Sequence, residues 1–261
     1  MEQLQLYDMS LNSRMLLGTA LYPSLESMCD AINASQTQMV TVALKRELHG
    51  GKNNFFWQSI QQSGCHVLPN TAGCKTADEA LMIAKAARQI FNTDFIKLEV
   101  IGDNHTLQPN VFELVKAAKT LIDQGFKVLP YCTDDLIVCQ QLVNLGCKVI
   151  MPLGSYIGSG QGIVNPSSFK LLRSRLKDIT LIVDAGIGTP SDAVLAMELG
   201  FDGVLLNSAV ALAENPPLMA DAFRLAIESG RKAYLAKRMP QRELAQASTP
   251  LQDTPFWHQI N

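Results

Sequence analysis

Short apolar runs alternate along the whole chain with longer amphipathic segments, at intervals of roughly 20–30 residues, the pattern of repeated strand–helix units on a parallel sheet. Eight runs read as buried strands: Arg14–Gly18, Met39–Ala43, Cys65–Leu68, Phe95–Ile101, Phe126–Tyr131, Lys148–Pro152, Thr180–Asp184 and Gly203–Asn207. Each is followed by a stretch of helical spacing. These stretches run from Ser24 to Ala34, from Phe55 to Ser63, onward from Thr76, from Val111 to Gln124, from Asp134 to Leu145, from Pro166 to Arg175, from Thr189 to Leu199 and from Pro217 to Ala236. Thr76 with Glu79 three residues on reads as a capping box, and Ala80, Ile83, Ala84 and Ala87 form the apolar stripe behind it. Gly125 and Gly146 stop the helices that precede them. Eight strands and eight helices imply an α/β fold, a single (β/α)8 TIM barrel over residues 1–237, rather than an open doubly wound sheet. The segment His49–Asn54 is polar and reads as a loop. From Arg238 the chain turns polar, so residues 238–261 are expected to be a tail, mobile or docked on a neighbour, and not a second domain.

Composition narrows the function classes. Of 261 residues 47% are hydrophobic, enough for a large core. The net charge is −2 and no block of Lys or Arg stands out, which argues against nucleic acid as a partner. No apolar run approaches the ~20 residues needed to span a bilayer, and the first residues lack the basic start and apolar core of a signal peptide. Cys29, Cys65, Cys74, Cys132, Cys139 and Cys147 form no CxxC pair, which suits a reduced cytoplasmic protein. His49, His66, His105 and His258 are scattered, so no metal site is expected.

One strand breaks the apolar rule. Within Phe95–Ile101 the charged residues Lys97 and Glu99 are two apart, so they share a face, while Ile96, Leu98 and Val100 share the other. A strand covered by helices normally fills both faces with Val, Ile and Leu. Burying two ions costs several kcal/mol each unless they are paired or neutralised. The strand alone leaves two readings open: an internal ion pair that fixes barrel register, or a reactive amine.

The ends of the last three strands supply a setting for the second reading. After Pro152 comes Gly154-Ser155-Tyr156-Ile157-Gly158-Ser159-Gly160-Gln161-Gly162, after Val183 comes Asp184-Ala185-Gly186-Ile187-Gly188, and after Leu206 comes Asn207-Ser208-Ala209. In such barrels phosphate is held by these loops, with main-chain N–H groups as donors. A phosphorylated ketose or aldose gripped there would present its carbonyl to Lys97, which could attack it and form an imine. The amine must be uncharged to do so, with Glu99 protonated part of the time or displaced by substrate. Asp184 is a second candidate acid or base, or a cap for the following loop. Cys132 is expected to be a buried inert thiol, and Lys45 and Arg46 solvated charges at a strand end.

With these residues in place, the chain resembles thiazole synthase, the family that assembles the thiazole phosphate half of thiamin. The resemblance is carried by Leu68–Gly73, Lys97–Val100, Val128–Tyr131, Met151–Ser155, Gly158–Gly162, Val183–Gly188 and Leu206–Ala209. It implies that Lys97 forms a Schiff base with 1-deoxy-D-xylulose 5-phosphate, that Glu99 and Asp184 move protons, and that Gly158, Ala185, Gly186, Asn207 and Ser208 line the phosphosugar site. It also implies dehydroglycine as a second substrate and, as partner, a small ubiquitin-like sulfur-carrier protein ending in a Gly-Gly thiocarboxylate. The family works as a homo-oligomer, a tetramer being favoured, without metal or organic cofactor. Two departures stand out: Gly18-Thr19-Ala20-Leu21 replaces the usual Gly-Thr-Gly-Lys, and Leu244 stands where an aromatic is usual. Rival readings of the same residues are a Schiff-base phosphosugar aldolase and a non-catalytic phosphometabolite-binding barrel. The Gly154–Asn165 loop is expected to be mobile without ligand.

Overall fold

The computed structural model describes residues 2–44 and 55–246. Lys45, Arg46, the expected His49–Asn54 loop and the end of the tail from 247 onward lie outside the described residues.

The chain opens with an antiparallel hairpin that the sequence reading did not anticipate, β1 (Leu4–Leu6) and β2 (Met9–Leu11), turning at Tyr7-Asp8. The barrel strands follow as β3 (Met15–Gly18), β4 (Met39–Ala43), β5 (His66–Asn70), β6 (Phe95–Leu98), β7 (Lys127–Cys132), β8 (Val149–Pro152), β9 (Thr180–Asp184) and β10 (Gly203–Leu206). They pair in parallel in sequence order, and β10 returns to β3 to close the ring. Helices α1 (Leu25–Ser35), α2 (Phe55–Gln62), α3 (Ala77–Phe91), α4 (Val111–Asp123), α5 (Leu136–Asn144), α6 (Pro166–Arg175), α7 (Pro190–Glu198) and α9 (Pro216–Ala236) form the outer layer. A one-turn helix, α8 (Ser208–Ala211), sits directly after β10. The expected (β/α)8 barrel is the observed fold.

Helix starts follow from local chemistry. Ser24, Thr76, Asn110, Asp135, Asn165 and Asn215 each accept a main-chain N–H of the first turn on the side chain, satisfying one of the orphan donors there. Thr76 takes the Glu79 amide as anticipated, whereas the Glu79 carboxylate reaches the Lys75 amide at 2.9 Å instead of the cap's own.

Strand alternation divides the apolar residues into two cores. Outward positions such as Val40, Ile96, Leu98, Val128, Ile150 and Val183 pack against the helices. Inward positions Leu16, Met39, Leu68, Phe95, Leu129 and Ile182 fill the lower barrel, together with Leu4, Leu6 and Leu11 of the hairpin. The hairpin is thus a plug in the floor. Tyr7 Oη donates to Val128 O at 2.7 Å, Thr180 Oγ1 to Gln5 O at 2.8 Å, and Arg231 pairs with Glu2 at 3.1 Å.

At the opposite end the inward positions turn polar. β6 leaves the ladder after Leu98, three residues earlier than the apolar run suggests. Thr71, just past β5, takes over the pairing there: its hydroxyl accepts from Glu99 N at 2.8 Å and donates to Glu99 O at 2.7 Å. Its amide donates to Lys97 O at 3.1 Å.

Candidate active site

Lys97 sits on the inner face of β6, one inward step above Phe95, in register with Asn70 of β5 and Leu129 of β7. Its Nζ donates to Glu99 Oε1 at 2.7 Å and lies 2.9 Å from Asp184 Oδ2, which closes β9 on another side of the ring. All three are buried, at 5%, 5% and 3% exposure. The Asp184 carboxylate therefore faces the lysine, which decides against a loop cap. Its Oδ2 is buried against the ammonium, which is its nearest charged neighbour.

The electrostatics correct one expectation. Burial disfavours the Lys97 ammonium, but Asp184 and Glu99 together outweigh it and raise the amine above its ordinary value. In this geometry the nitrogen is charged, not neutral as imine chemistry requires. The sequence reading weighed one carboxylate at the amine; barrel closure brings two. Burial, reinforced by the neighbouring Glu99 charge and opposed by Lys97, pushes the Asp184 carboxyl up to about 6. It thus changes charge near neutrality, 2.9 Å from the lysine nitrogen.

These side chains form one wall of a cavity of about 440 Å³ at the carboxyl ends of the strands. Gly158, Ala185, Gly186, Asn207 and Ser208 all line it, together with Lys97, Glu99 and Asp184. The glycine loops interlock there. Gly154 N donates to Ala185 O at 3.3 Å, and Gly162 N to Gly186 O at 2.8 Å. Ala185 has φ +78° and Gly186 φ +82°. The alanine carries strain that favours glycine, of the kind stored at functional sites. At Gly186 a side chain would also collide with Ser155. Ala185 and Gly186 form a tight turn on the cavity wall at the end of β9. Across from it the first amides of α8, at Ser208 and Ala209, have no intrahelical partner.

Further residues join the wall that the sequence reading left without a role. Asn70 and Thr41 line the cavity from β5 and β4, and Thr71 clamps Glu99 from outside it. The signal was present: inward positions of two apolar strands end in a polar residue. Ala20 and Leu21, at the position of the usual Gly-Lys, also line the cavity. Leu244 is exposed. Cys132 lies buried 3.9 Å from Cys139 Sγ, and burial pushes its thiol well up, which makes it inert. Among the described residues no group of three His, Cys, Asp or Glu is arranged to hold a metal ion, and no helix is long and apolar enough to cross a membrane.

The chain is also similar to known proteins along most of its length. The family described as thiazole biosynthesis protein ThiG matches residues 5–250. The chain is 57% identical over 256 residues to a thiazole synthase of Rhodopseudomonas palustris (strain BisA53), covering 98% of each. It is 56% identical over 259 residues to one of Bradyrhizobium sp. (strain ORS 278), covering 99% of this chain and 100% of that one. Among solved structures, the Amycolatopsis orientalis BexX/CysO complex superposes with a TM-score of 0.85 at 28% identity, over 94% of this chain and 100% of that one.

Proposed function

Because the chain belongs to the ThiG family of thiamin-pathway thiazole synthases, we propose that it builds the thiazole phosphate through an imine on Lys97. The substrate is 1-deoxy-D-xylulose 5-phosphate. Its phosphate rests against Gly158, Ala185, Gly186, Asn207 and Ser208, and its C2 ketone reaches the lysine wall. The ammonium passes its proton to Asp184 or Glu99, the freed amine attacks C2, and the carbinolamine loses water to give the imine. The same carboxylates then move protons during migration of the carbonyl, before sulfur transfer, condensation with dehydroglycine and cyclisation. No metal or organic cofactor enters this scheme. Sulfur arrives as the thiocarboxylate of a small ubiquitin-like carrier protein ending in Gly-Gly. That a structural neighbour was solved as a complex, BexX with CysO, supports a protein partner here. Six free thiols fit a reducing cytoplasm. The exposed Leu218 and Leu225, one above the other on α9, support a homo-oligomer, with a tetramer favoured. By reaction class the enzyme is a sulfur-incorporating transferase.

The observation that carries this reading is a buried lysine held between two carboxylates on one wall of a cavity whose other wall is glycine loops. Borohydride reduction in the presence of 1-deoxy-D-xylulose 5-phosphate, read by intact mass, tests it. A stable adduct is expected, and Lys97→Ala abolishes it. A wild-type protein that binds the sugar phosphate without forming an adduct would overturn the imine.

A further inference from the structure

An amine attacking a ketone places negative charge on the carbonyl oxygen, and the Lys97 wall is badly equipped to receive it. Glu99 and Asp184 are acceptors whenever they are ionised, and they repel an oxyanion. Several other donors nearby are already engaged. The Tyr131 hydroxyl donates to Leu107 O at 3.3 Å, Thr19 Oγ1 to Thr41 O at 2.9 Å, and the Ser155 and Ser159 hydroxyls pair with each other at 3.1 Å. The Thr41 hydroxyl stands two strands from the lysine, beside Leu68.

Asn70 is placed differently. It ends β5 at the register position directly beside Lys97, so the two side chains share the inner face, on strands spaced ~4.8 Å apart. It lines the cavity and is 8% exposed. Ala72 N–H donates to its Oδ1 at 3.2 Å, a turn that fixes which end of the carboxamide is which. The NH2 end therefore faces away from that turn, and among the described residues it donates to no acceptor. The amide nitrogen thus opens onto the cavity beside the nucleophile, with both protons available to whatever occupies it.

We propose that Asn70 is a catalytic residue of imine formation, its Nδ2–H donating to the substrate carbonyl oxygen as that oxygen becomes the carbinolamine oxygen. This rests on the Lys97 imine proposed above. In the step, the nitrogen lone pair of Lys97 forms the C–N bond and the C=O π pair moves onto oxygen. Asn70 holds that oxygen without giving up its proton. The carboxylic acid that received the lysine proton then protonates the oxygen. The carboxylate so formed takes one proton from the new C–N nitrogen and passes it to the hydroxyl, so water leaves as the nitrogen lone pair forms the C=N bond of the protonated imine. The amide is the suitable group here because it donates at any pH and adds no charge beside the amine.

Two substitutions separate this from a structural role. Asn70→Asp keeps an oxygen to accept the Ala72 amide and loses the donor. Asn70→Ser keeps a shorter acceptor and withdraws from the substrate. The readouts are the rate of borohydride-trapped adduct at saturating 1-deoxy-D-xylulose 5-phosphate, and equilibrium binding of its C2-reduced alcohol, which has the phosphate but no carbonyl. By analogy with single oxyanion donors, trapping is expected to slow roughly 100-fold in both variants, with alcohol binding changed by less than about threefold. Asn70→Asp also raises the lysine further, so its rate is read across pH, and the loss is expected to persist at high pH. Wild-type trapping rates in a folded Asn70→Ser protein would overturn the proposal. So would a loss of alcohol binding as large as the loss of rate. Absence of any adduct in the wild type would instead sink the imine itself.

Discussion

An ammonium shared by two carboxylates gives the Lys97 cluster a net charge of −1 when all three are ionised, and its proton must move before the nitrogen can react. Asp184, pushed up to about 6, sets when it can. Below that pH Asp184 holds its own proton and cannot take the lysine's. Adduct trapping should therefore climb as pH rises through about 6, and Asp184→Asn should remove that limb, as a rate–pH profile of both proteins would reveal. The linkage has the same sign for both groups. Asp184 and Lys97 both have folded values above their unfolded ones, so each favours the fold below its unfolded value and loses that contribution as pH rises through the folded one. For Asp184 the loss falls between about 4 and 6; for Lys97 it falls only in strong alkali. At neutral pH the ionised aspartate is thus the group that weakens the fold, as is common where reactivity is stored. Lys97 and Glu99 were legible because two charges in a buried strand violate its pattern. The meeting of Lys97 with Asp184 was not, since it depends on how β6 and β9 are placed in a closed ring. Asn70 was quoted for its motif and given no task, because a polar residue after an apolar run also reads as a plain turn.

The glycine loops act at the next scale, as elements that lock one another. A methyl group at Gly188 would strike the main chain of Gly160, carbonyl carbon and Cα alike at 2.8 Å, so one loop would have to move. Gly188→Ala should cost about 1–3 kcal/mol of stability and weaken binding of the C2-reduced sugar phosphate about tenfold or more, measured by thermal unfolding and titration calorimetry. Gly64→Ala is a control for backbone strain without a clash. Unlike Gly188 it has positive φ, at +68°, with nothing within 4 Å of the added carbon, so it should cost about 1 kcal/mol in backbone strain and leave binding unchanged. Two successive glycine-rich strand ends, followed by Asn207-Ser208-Ala209, pointed in the sequence to this end of the barrel. Which of their atoms interlock depends on approach between loops distant along the chain, which no local pattern encodes. The early end of β6 has a similar cause: the apolar run continues to Ile101, but Thr71 captures the Glu99 main chain and ends regular pairing.

For the whole molecule, repetition made the barrel legible: eight apolar runs each followed by a helix leave little choice but a ring. The floor was illegible. β1 and β2 have three residues each, too short for alternation to stand out, although Leu4, Leu6 and Leu11 carry it. Leu6 is fully buried, so Leu6→Ala should cost about 2–5 kcal/mol in urea unfolding, while the folded fraction keeps its adduct chemistry at the far end. The plug also has a history. A ribosome releases Leu4 and Leu6 before any stave of the ring exists, whereas the groups that fasten them, on Val128, Thr180 and Arg231, emerge much later. At about 5–20 residues per second, the nascent chain trails greasy residues for many seconds with nowhere to put them. The stopper cannot be fully fastened until Val128, Thr180 and Arg231 have all been made.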